Sequence, residues 1–388
     1  MHYIHCLNNI SHYGTDLLTS KYKLTDDISK ASGILVRSAS MHEMDFSDNL
    51  LAIARAGAGV NNIPLDKCAE AGIVVFNTPG ANANAVKEIV LCALLLGSRD
   101  IIGGTAWVAQ NADDPDIAKA VEKNKKKFAG TEIAGKKIGI IGLGAIGARV
   151  ANAAVELGMD AYGYDPFVGV DAAWGISSSV KHITNVDKIY RECDYITIHV
   201  PAMDSTKGMI GEDAFENMKK GMVVLNFSRD TLVDVEAMAE ALENGTVSKY
   251  ITDFPTPDVL KMKNTIAIPH LGASTAEAED NCAIMATRQL MDFIENGNIK
   301  NSVNFPNCDL GPASQVAGRI GVMHENVPNM ISQITGALGN ADVNIENMMN
   351  KAKGKFAYTL LDLNAPASQS IVAALSEIEG VIRTRIIV

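Results

Sequence analysis

The chain has 388 residues, 47 % hydrophobic and 20 % charged, the composition of a globular protein long enough for two or three cored domains. Its formal net charge of −11 argues against nucleic acid as a partner, because a broad nucleic-acid face needs a basic surface. The six cysteines (6, 68, 92, 193, 282 and 308) form no CxxC pair, so neither a disulfide framework nor a metal site is expected.

The opening MHYIHCLNNISHYG lacks a basic segment followed by an apolar run. No apolar stretch nears the roughly 20 residues of a membrane span, so a cytoplasmic protein with no membrane partner is expected. Over the first hundred residues, HYIHCL, GILVRS, LLAIARAG and GIVVFNT read as strands with amphipathic segments between them. That rhythm predicts a parallel sheet covered on both faces. An apolar helix over 86–96 follows, and then a polar stretch to Phe128 that reads as a long helix plus an arm.

A second βα series starts at Lys137, with IGIIG, DAYGYD, YITIHV, MVVLNFS, YITDF and TIAIP as its strands. Its first strand runs into Gly142-x-Gly144-x-x-Gly147 and an alanine-rich helix pattern. Gly142 serves the tight turn, Gly144 the close approach of a pyrophosphate, and Gly147 the packing of helix on strand. The helix N-terminus adds unpaired N–H groups and partial positive charge. Asp165 ends the next strand, where a carboxylate accepts the ribose hydroxyls and repels a 2′-phosphate. NAD is therefore the expected cofactor.

Near 305–317, NFPNCDLGPASQVA loses periodicity and holds two prolines, the pattern of a linker. Beyond it, RIGVMHEN, a helix over 328–338, DVNIENMM, FAYTLLDLN, a helix near 370–378 and VIRTRIIV read as βαββαβ, a ferredoxin-like unit. The predicted fold class is α/β, with two doubly wound parallel-sheet domains of the Rossmann or flavodoxin kind plus this smaller unit.

Three strand ends carry the chemistry. LNFSRDTLVD puts Arg229 after one strand, DFPTPD puts Asp253 and Asp258 after the next, and IPHLGAS puts His270 after the last. Removing a hydride from an alcohol carbon requires a base for the hydroxyl proton, and histidine titrates near working pH. A guanidinium holds a substrate carboxylate through paired hydrogen bonds. The set fits oxidation of a 2-hydroxy acid. His199, in HVP, equally follows a strand but reads as shaping the adenine pocket. Asp194 and Asp234 read as caps or solvated carboxylates, and Met348 and Met349 as packing residues.

On IARAGAGVNNIPLDKCAEAGIVVFNTPGANANAVKEIV, FAGTEIAGKKIGIIGLGAIG, HVP, LNFSRDTLVD and IPHLGAS, the chain resembles the D-isomer-specific 2-hydroxyacid dehydrogenases over residues 1–305. The resemblance implies a substrate-binding lid domain (1–95 and 273–304), an NAD-binding domain (96–272), a linker (305–318) and a regulatory domain (319–388). It makes Arg229 the catalytic arginine, His270 the proton donor and acceptor, and Asp258 the acid paired with it. The family has Gly after that arginine, where this chain has Asp230, and Glu in an E-P step, where it has Asp258. Counting from Arg229 selects Asp258; another acid in a shifted loop is the alternative.

By the same resemblance, Gly142, Gly144, Ala145, Ile146, Gly147, Asp165, His199, Val200, Pro201, Phe227, Ser228, Asp253, Gly272 and Ala273 contact NAD, and Ala58 reaches its nicotinamide side. Arg37, Ser38, Arg55, Gly57, Gly59 and Lys125 bind substrate, the cations serving a phosphoryl group. The tail resembles an ACT domain, a module that senses amino acids, with His324, Asn326 and Asn344 at the positions that hold L-serine as effector. With the tail included, the implied reaction is oxidation of D-3-phosphoglycerate to 3-phosphohydroxypyruvate, which opens L-serine synthesis, in a homodimer or homotetramer. The rival readings are a glyoxylate/hydroxypyruvate or 2-oxoglutarate reductase, and an NAD-sensing regulatory protein.

Overall fold

Short runs of β-branched and aliphatic residues, buried on both faces, make parallel strands. The first such sheet holds β1 (His2–Cys6), β2 (Tyr22–Leu24), β3 (Gly33–Val36), β4 (Ala52–Arg55) and β5 (Val74–Phe76), all parallel in the order β2-β1-β3-β4-β5. That is the flavodoxin-like order. The computed structural model describes all 388 residues apart from the side chain of Asp171. Its contacts divide the chain into two units, Met1–Asn82 with Ala276–Val388, and Ala83–Thr275.

The second unit holds β6 (Lys137–Ile141), β7 (Asp160–Tyr164), β8 (Lys181–His182), β9 (Tyr195–Ile198), β10 (Met222–Asn226), β11 (Val247–Thr252) and β12 (Thr265–Ala267). All run parallel in the order β12-β11-β10-β9-β6-β7-β8, the dinucleotide-fold order with one extra strand. The helix Ala83–Ser98 belongs to this unit, because Val86, Val90 and Leu94 pack with Ile138, Val150, Leu225 and Ile251. The chain thus enters the unit at Ala83, earlier than the boundary at residue 95 read from the sequence. The stretch read as one long helix and an arm is the helices Ile101–Gln110 and Ile117–Asn124 and a 3₁₀ turn, Lys125–Phe128. Asp234 caps the helix Val235–Glu243 by accepting the Ala237 N–H at 3.0 Å, and Asp194 accepts the Lys137 N–H at 2.9 Å.

The chain returns to the first unit through the helix Ala276–Asn296, whose Ala286, Leu290 and Phe293 pack against Ile4, Leu35 and Phe76. It ends in an antiparallel sheet of β13 (Gly318–Glu325), β14 (Ile345–Lys353), β15 (Phe356–Leu363) and β16 (Val381–Ile386), ordered β14-β15-β13-β16. With helices Met330–Asn340 and Gln369–Ser376 this is the βαββαβ ferredoxin-like arrangement. Both faces of the sheet are used. Ile320, Val322, Leu361 and Leu363 meet the two helices, whereas Met323, Tyr358 and Leu360 join the core that holds Phe76 and Phe293.

The stretch read as a linker is packed. Phe305 and Cys308 are buried, and residues 299 and 308 exchange backbone hydrogen bonds of 2.7 and 2.9 Å. The fully buried Arg319 donates to the carbonyls of Asn296 (2.9 Å), Gly311 (2.7 Å) and Leu310 (3.2 Å), and pairs with Asp362 at 2.6 Å. From β16, Arg383 donates to the carbonyls of Asp48 and Leu50, and Arg385 to those of Phe293 and Ile294. Among the described residues, no single helix is long and apolar enough to cross a membrane.

Candidate active site

The second unit carries the dinucleotide motif at the carboxyl end of β6. Gly142 has φ +95°, and a Cβ there would meet the His199 carbonyl oxygen at 2.6 Å, so the turn admits only glycine. A Cβ on Gly147 would stand 1.8 Å from the Gly142 carbonyl oxygen, which is the close helix–strand contact the motif requires. Over Gly144, by contrast, the space is open, and Gly144, Ala145 and part of Ile146 are accessible at the start of the helix Ala145–Glu156. A phosphate has room there to meet the first N–H groups of the helix.

Asp165 is half-buried at the end of β7. One carboxylate oxygen accepts the Leu143 N–H and the other the Phe167 N–H, both at 2.8 Å. The carboxylate is therefore locked beside the glycine turn with lone pairs left over for ribose hydroxyls. Changing Asp165 to Asn is expected to weaken NAD binding and narrow its preference over NADP, each by about tenfold, in titrations of nicotinamide fluorescence.

His199 lies behind the same turn. One ring nitrogen meets the Thr197 hydroxyl at 2.9 Å, and the buried Nδ1 has no partner. Burial pushes its pKa down to about 3 from the ordinary 6.5. The sign follows. Between pH 6.5 and 3 the unfolded chain binds a proton that the folded one refuses, so folding stability falls as pH drops through that window. The slope is about 1.4 kcal/mol per pH unit at most. A His199→Gln variant is expected to flatten that part of the unfolding free energy measured against pH.

The catalytic candidates follow three neighbouring strands of this sheet, β10, β11 and β12. Arg229 is exposed just past β10, and its Nη1 donates to the Ser228 carbonyl at 2.6 Å. The turn beneath is tied by Ser228, whose hydroxyl donates to the Val200 carbonyl at 2.7 Å, and by the buried amide of Asn226. Phe227 is core. His270 is exposed past β12 with φ +40°, a sparsely populated conformation held by its N–H donating to the Asp253 and Ile268 carbonyls, both at 3.0 Å. The Phe254 ring meets its imidazole edge-on at 5.0 Å.

Asp253, just past β11, is buried. Its Oδ2 accepts the Gly272 N–H at 3.0 Å, an approach so close that a Cβ on Gly272 would lie 2.9 Å from that oxygen. Its Oδ1 is buried without a partner. Burial raises the Asp253 pKa, against the opposing pull of the Gly272 N–H, His270 and Arg229. The carboxylate that feels both catalytic candidates is thus Asp253. Asp258 instead pairs with Lys261 at 2.9 Å on the surface, and among the described residues no hydrogen bond or ion pair joins it to His270. Ala273 is partly accessible beside Gly272, and Val200 and Pro201 follow β9. Sequence reasoning passed over Asn226 and Phe254; a polar amide closing an apolar strand was the available signal for the first.

In the first unit, the N–H groups of Arg37, Ser38 and Ala39 all converge on the Asn8 side-chain oxygen at 3.0 Å. The Arg37 guanidinium pairs with Glu279, while Arg55 Nε donates to the Arg37 carbonyl at 3.0 Å. A Cβ on Gly57 would meet Arg55 Nη1 at 2.7 Å. The loop of Gly57, Ala58 and Gly59 is held by the Asn77 amide on the Ala58 carbonyl and by the Thr78 N–H on the Gly57 carbonyl at 3.1 Å. Lys125, in the second unit, pairs with Glu122.

Of the three residues read as effector ligands, His324 and Asn326 lie near one end of β15 and Asn344 at the other. His324 is buried in β13, with its nitrogens on the Glu325 carbonyl (2.7 Å) and the Thr359 hydroxyl (2.9 Å). Asn326 donates to the Gly354 carbonyl at 3.3 Å, at the Phe356 end of β15. Asn344 bonds Asn364 at the other end. At about 3.3 Å per residue, the length of β15, roughly 23 Å, separates Asn326 from Asn344.

Residues 92–272 match the family model of the D-isomer specific 2-hydroxyacid dehydrogenase NAD binding domain. That stretch carries the NAD-binding domain of the family. It is similar to D-3-phosphoglycerate dehydrogenase of Haemophilus influenzae, with 29 % identity over 92 % of this chain and 86 % of that protein. The similarity to the enzyme of the same name from Archaeoglobus fulgidus is 34 % over 75 % of this chain, which spans only 54 % of that longer relative. Among solved structures, the NAD⁺-bound 3-phosphoglycerate dehydrogenase of Entamoeba histolytica superposes with a TM-score of 0.60 at 26 % identity, covering 78 % of this chain and 98 % of that one. The second unit is accordingly an NAD-binding domain, and the chain an NAD-dependent dehydrogenase. The open turn at Gly144, the anchored Asp165 carboxylate and the orphaned Asp253 Oδ1 fit that cofactor.

Proposed function

We propose that the chain oxidises D-3-phosphoglycerate to 3-phosphohydroxypyruvate with NAD. The observation that carries this is the placement of an exposed guanidinium and an exposed imidazole at the ends of β10 and β12, on either side of the buried Asp253 carboxylate that ends β11. Arg229 holds the substrate carboxylate through paired N–H donors and polarises the C2 oxygen. His270 takes the C2 hydroxyl proton as the C2 hydrogen departs with its electron pair. NAD, held by the Gly144 turn and Asp165, would supply the acceptor for that hydride. The buried Asp253 Oδ1, which has no partner, would accept a hydrogen bond from the carboxamide of the nicotinamide.

The phosphoryl group is assigned to Arg37 and Arg55 on the sequence resemblance. Arg37 is engaged by Glu279, so a phosphate dianion would exchange with that carboxylate. The names of the curated relatives support phosphoglycerate as substrate. A panel of phosphoglycerate, glycerate, glycolate and 2-hydroxyglutarate, followed by absorbance of reduced nicotinamide, tests the reading. Turnover of phosphoglycerate at least ten times better in kcat/KM than of the others is expected, and preference for an unphosphorylated acid would overturn it.

The terminal sheet is proposed, on the same resemblance, to be an ACT domain that senses L-serine, in a homodimer or homotetramer. Since Asn326 and Asn344 sit at opposite ends of β15, a site using both draws Asn344 from a second copy. Millimolar serine is expected to inhibit the wild type and to spare Asn344→Ala; an unaffected wild type would remove the regulatory reading.

A further inference from the structure

We infer that Asn226 is a positioning residue for Arg229, its buried amide setting the turn from which the guanidinium projects. The inference rests on the reading of Arg229 as the ligand of the substrate carboxylate.

Asn226 ends β10 and is fully buried, where a polar side chain is retained only with its hydrogen bonds made. Its Oδ1 accepts the Ser228 N–H at 3.2 Å, and its Nδ2 donates to the Arg229 carbonyl at 2.8 Å. One side chain therefore brackets the turn Phe227–Arg229, spanning an N–H and a carbonyl of the very residues that lead into the guanidinium. Only an amide of this length offers both an acceptor and a donor. Aspartate lacks the donor and would set an anion against the Arg229 carbonyl. Serine is too short to span the two groups.

The rest of the turn depends on this bracket. The Ser228 hydroxyl fastens it to the Val200 carbonyl, and Arg229 Nη1 folds back onto the Ser228 carbonyl at 2.6 Å. Among the described residues Arg229 forms no ion pair, so its aim comes from the backbone beneath it. A guanidinium that must grip a planar carboxylate in two places is sensitive to small displacements. A shift of about 1 Å in a substrate-positioning group costs on the order of 100-fold in rate.

The test uses the full-length protein and oxalate, a planar dicarboxylate that competes for a guanidinium without being turned over. Asn226→Asp and Asn226→Ser are prepared alone and with Arg229→Lys. In the single variants, kcat/KM and oxalate affinity in the presence of NADH are expected to fall about 10- to 100-fold, while the NAD dissociation constant stays within about twofold. In the Arg229→Lys background, the same changes are expected to have little further effect, because both act on one interaction.

Variants that fold and keep oxalate affinity and turnover would overturn the inference, as would effects that multiply fully with Arg229→Lys. If Asn226→Asp does not fold, Asn226→Ser carries the comparison. Failure of both to fold would assign the amide to stability and overturn the positioning role. A wild type that binds oxalate over NADH but does not turn over phosphoglycerate would overturn the substrate assignment alone.

Discussion

Replacing His270 with asparagine is expected to lower kcat for D-3-phosphoglycerate by about 10²- to 10⁴-fold, the usual contribution of a positioned general base. Asparagine is the informative choice. His270 sits at φ +40°, and asparagine is among the few residues that tolerate the left-handed region, so the backbone and its two N–H bonds should survive. What is lost is the group that takes the proton. NAD affinity should be unchanged, because Asp165, the Gly144 turn and the helix start lie on other strands. Turnover near the wild-type rate in His270→Asn would remove the histidine from the mechanism, and with it the convergence on β10–β12.

The largest expected loss of stability is for Arg319→Met. Arg319 and Asp362 are paired at 2.6 Å with side chains 0 % and 2 % exposed, and the guanidinium also satisfies three backbone carbonyls. Removing one partner strands a buried carboxylate, at a cost of about 3–5 kcal/mol. The Asn347 amide, 3.4 Å from Asp362, compensates only in part. The double replacement Arg319→Met with Asp362→Leu should recover the part of the loss that comes from the stranded carboxylate, while the three carbonyls still lack their donor. Denaturant unfolding of the wild type, Arg319→Met, Asp362→Leu and the double variant separates these terms. Equal stability of Arg319→Met and wild type would mean that water reaches the pair.

The parallel strands were legible because burial on both faces forces unbroken aliphatic runs such as GILV in β3 and MVVLN in β10. The glycine turn was legible because steric necessity writes itself into residue type at Gly142 and Gly147. Tyr22–Leu24 and the two-residue Lys181–His182 strand escaped notice. Both are short edge strands, made by pairing to a neighbour rather than by any pattern of their own. The stretch after Phe305 read as a linker since its order comes from Arg319 and Asn298, whose bonds no local window contains.

The acid beside His270 could not be chosen by counting. Asp258 holds the expected place in sequence, yet Lys261, three residues on, claims it, and the carboxylate that feels His270 and Arg229 is that of Asp253. His324 reads from the sequence resemblance as an effector ligand, whereas in the structure both its ring nitrogens are engaged within the sheet.

Arg383 and Arg385 fasten the terminal sheet to main-chain oxygens at Asp48, Leu50, Phe293 and Ile294, not to acidic side chains. Main-chain acceptors persist whatever side chain stands there, so drift in residues 48–50 or 293–294 leaves this anchorage intact as long as the backbone path holds. Its vulnerability is lopsided: a change at either arginine undoes what no ordinary substitution on the opposite surface can.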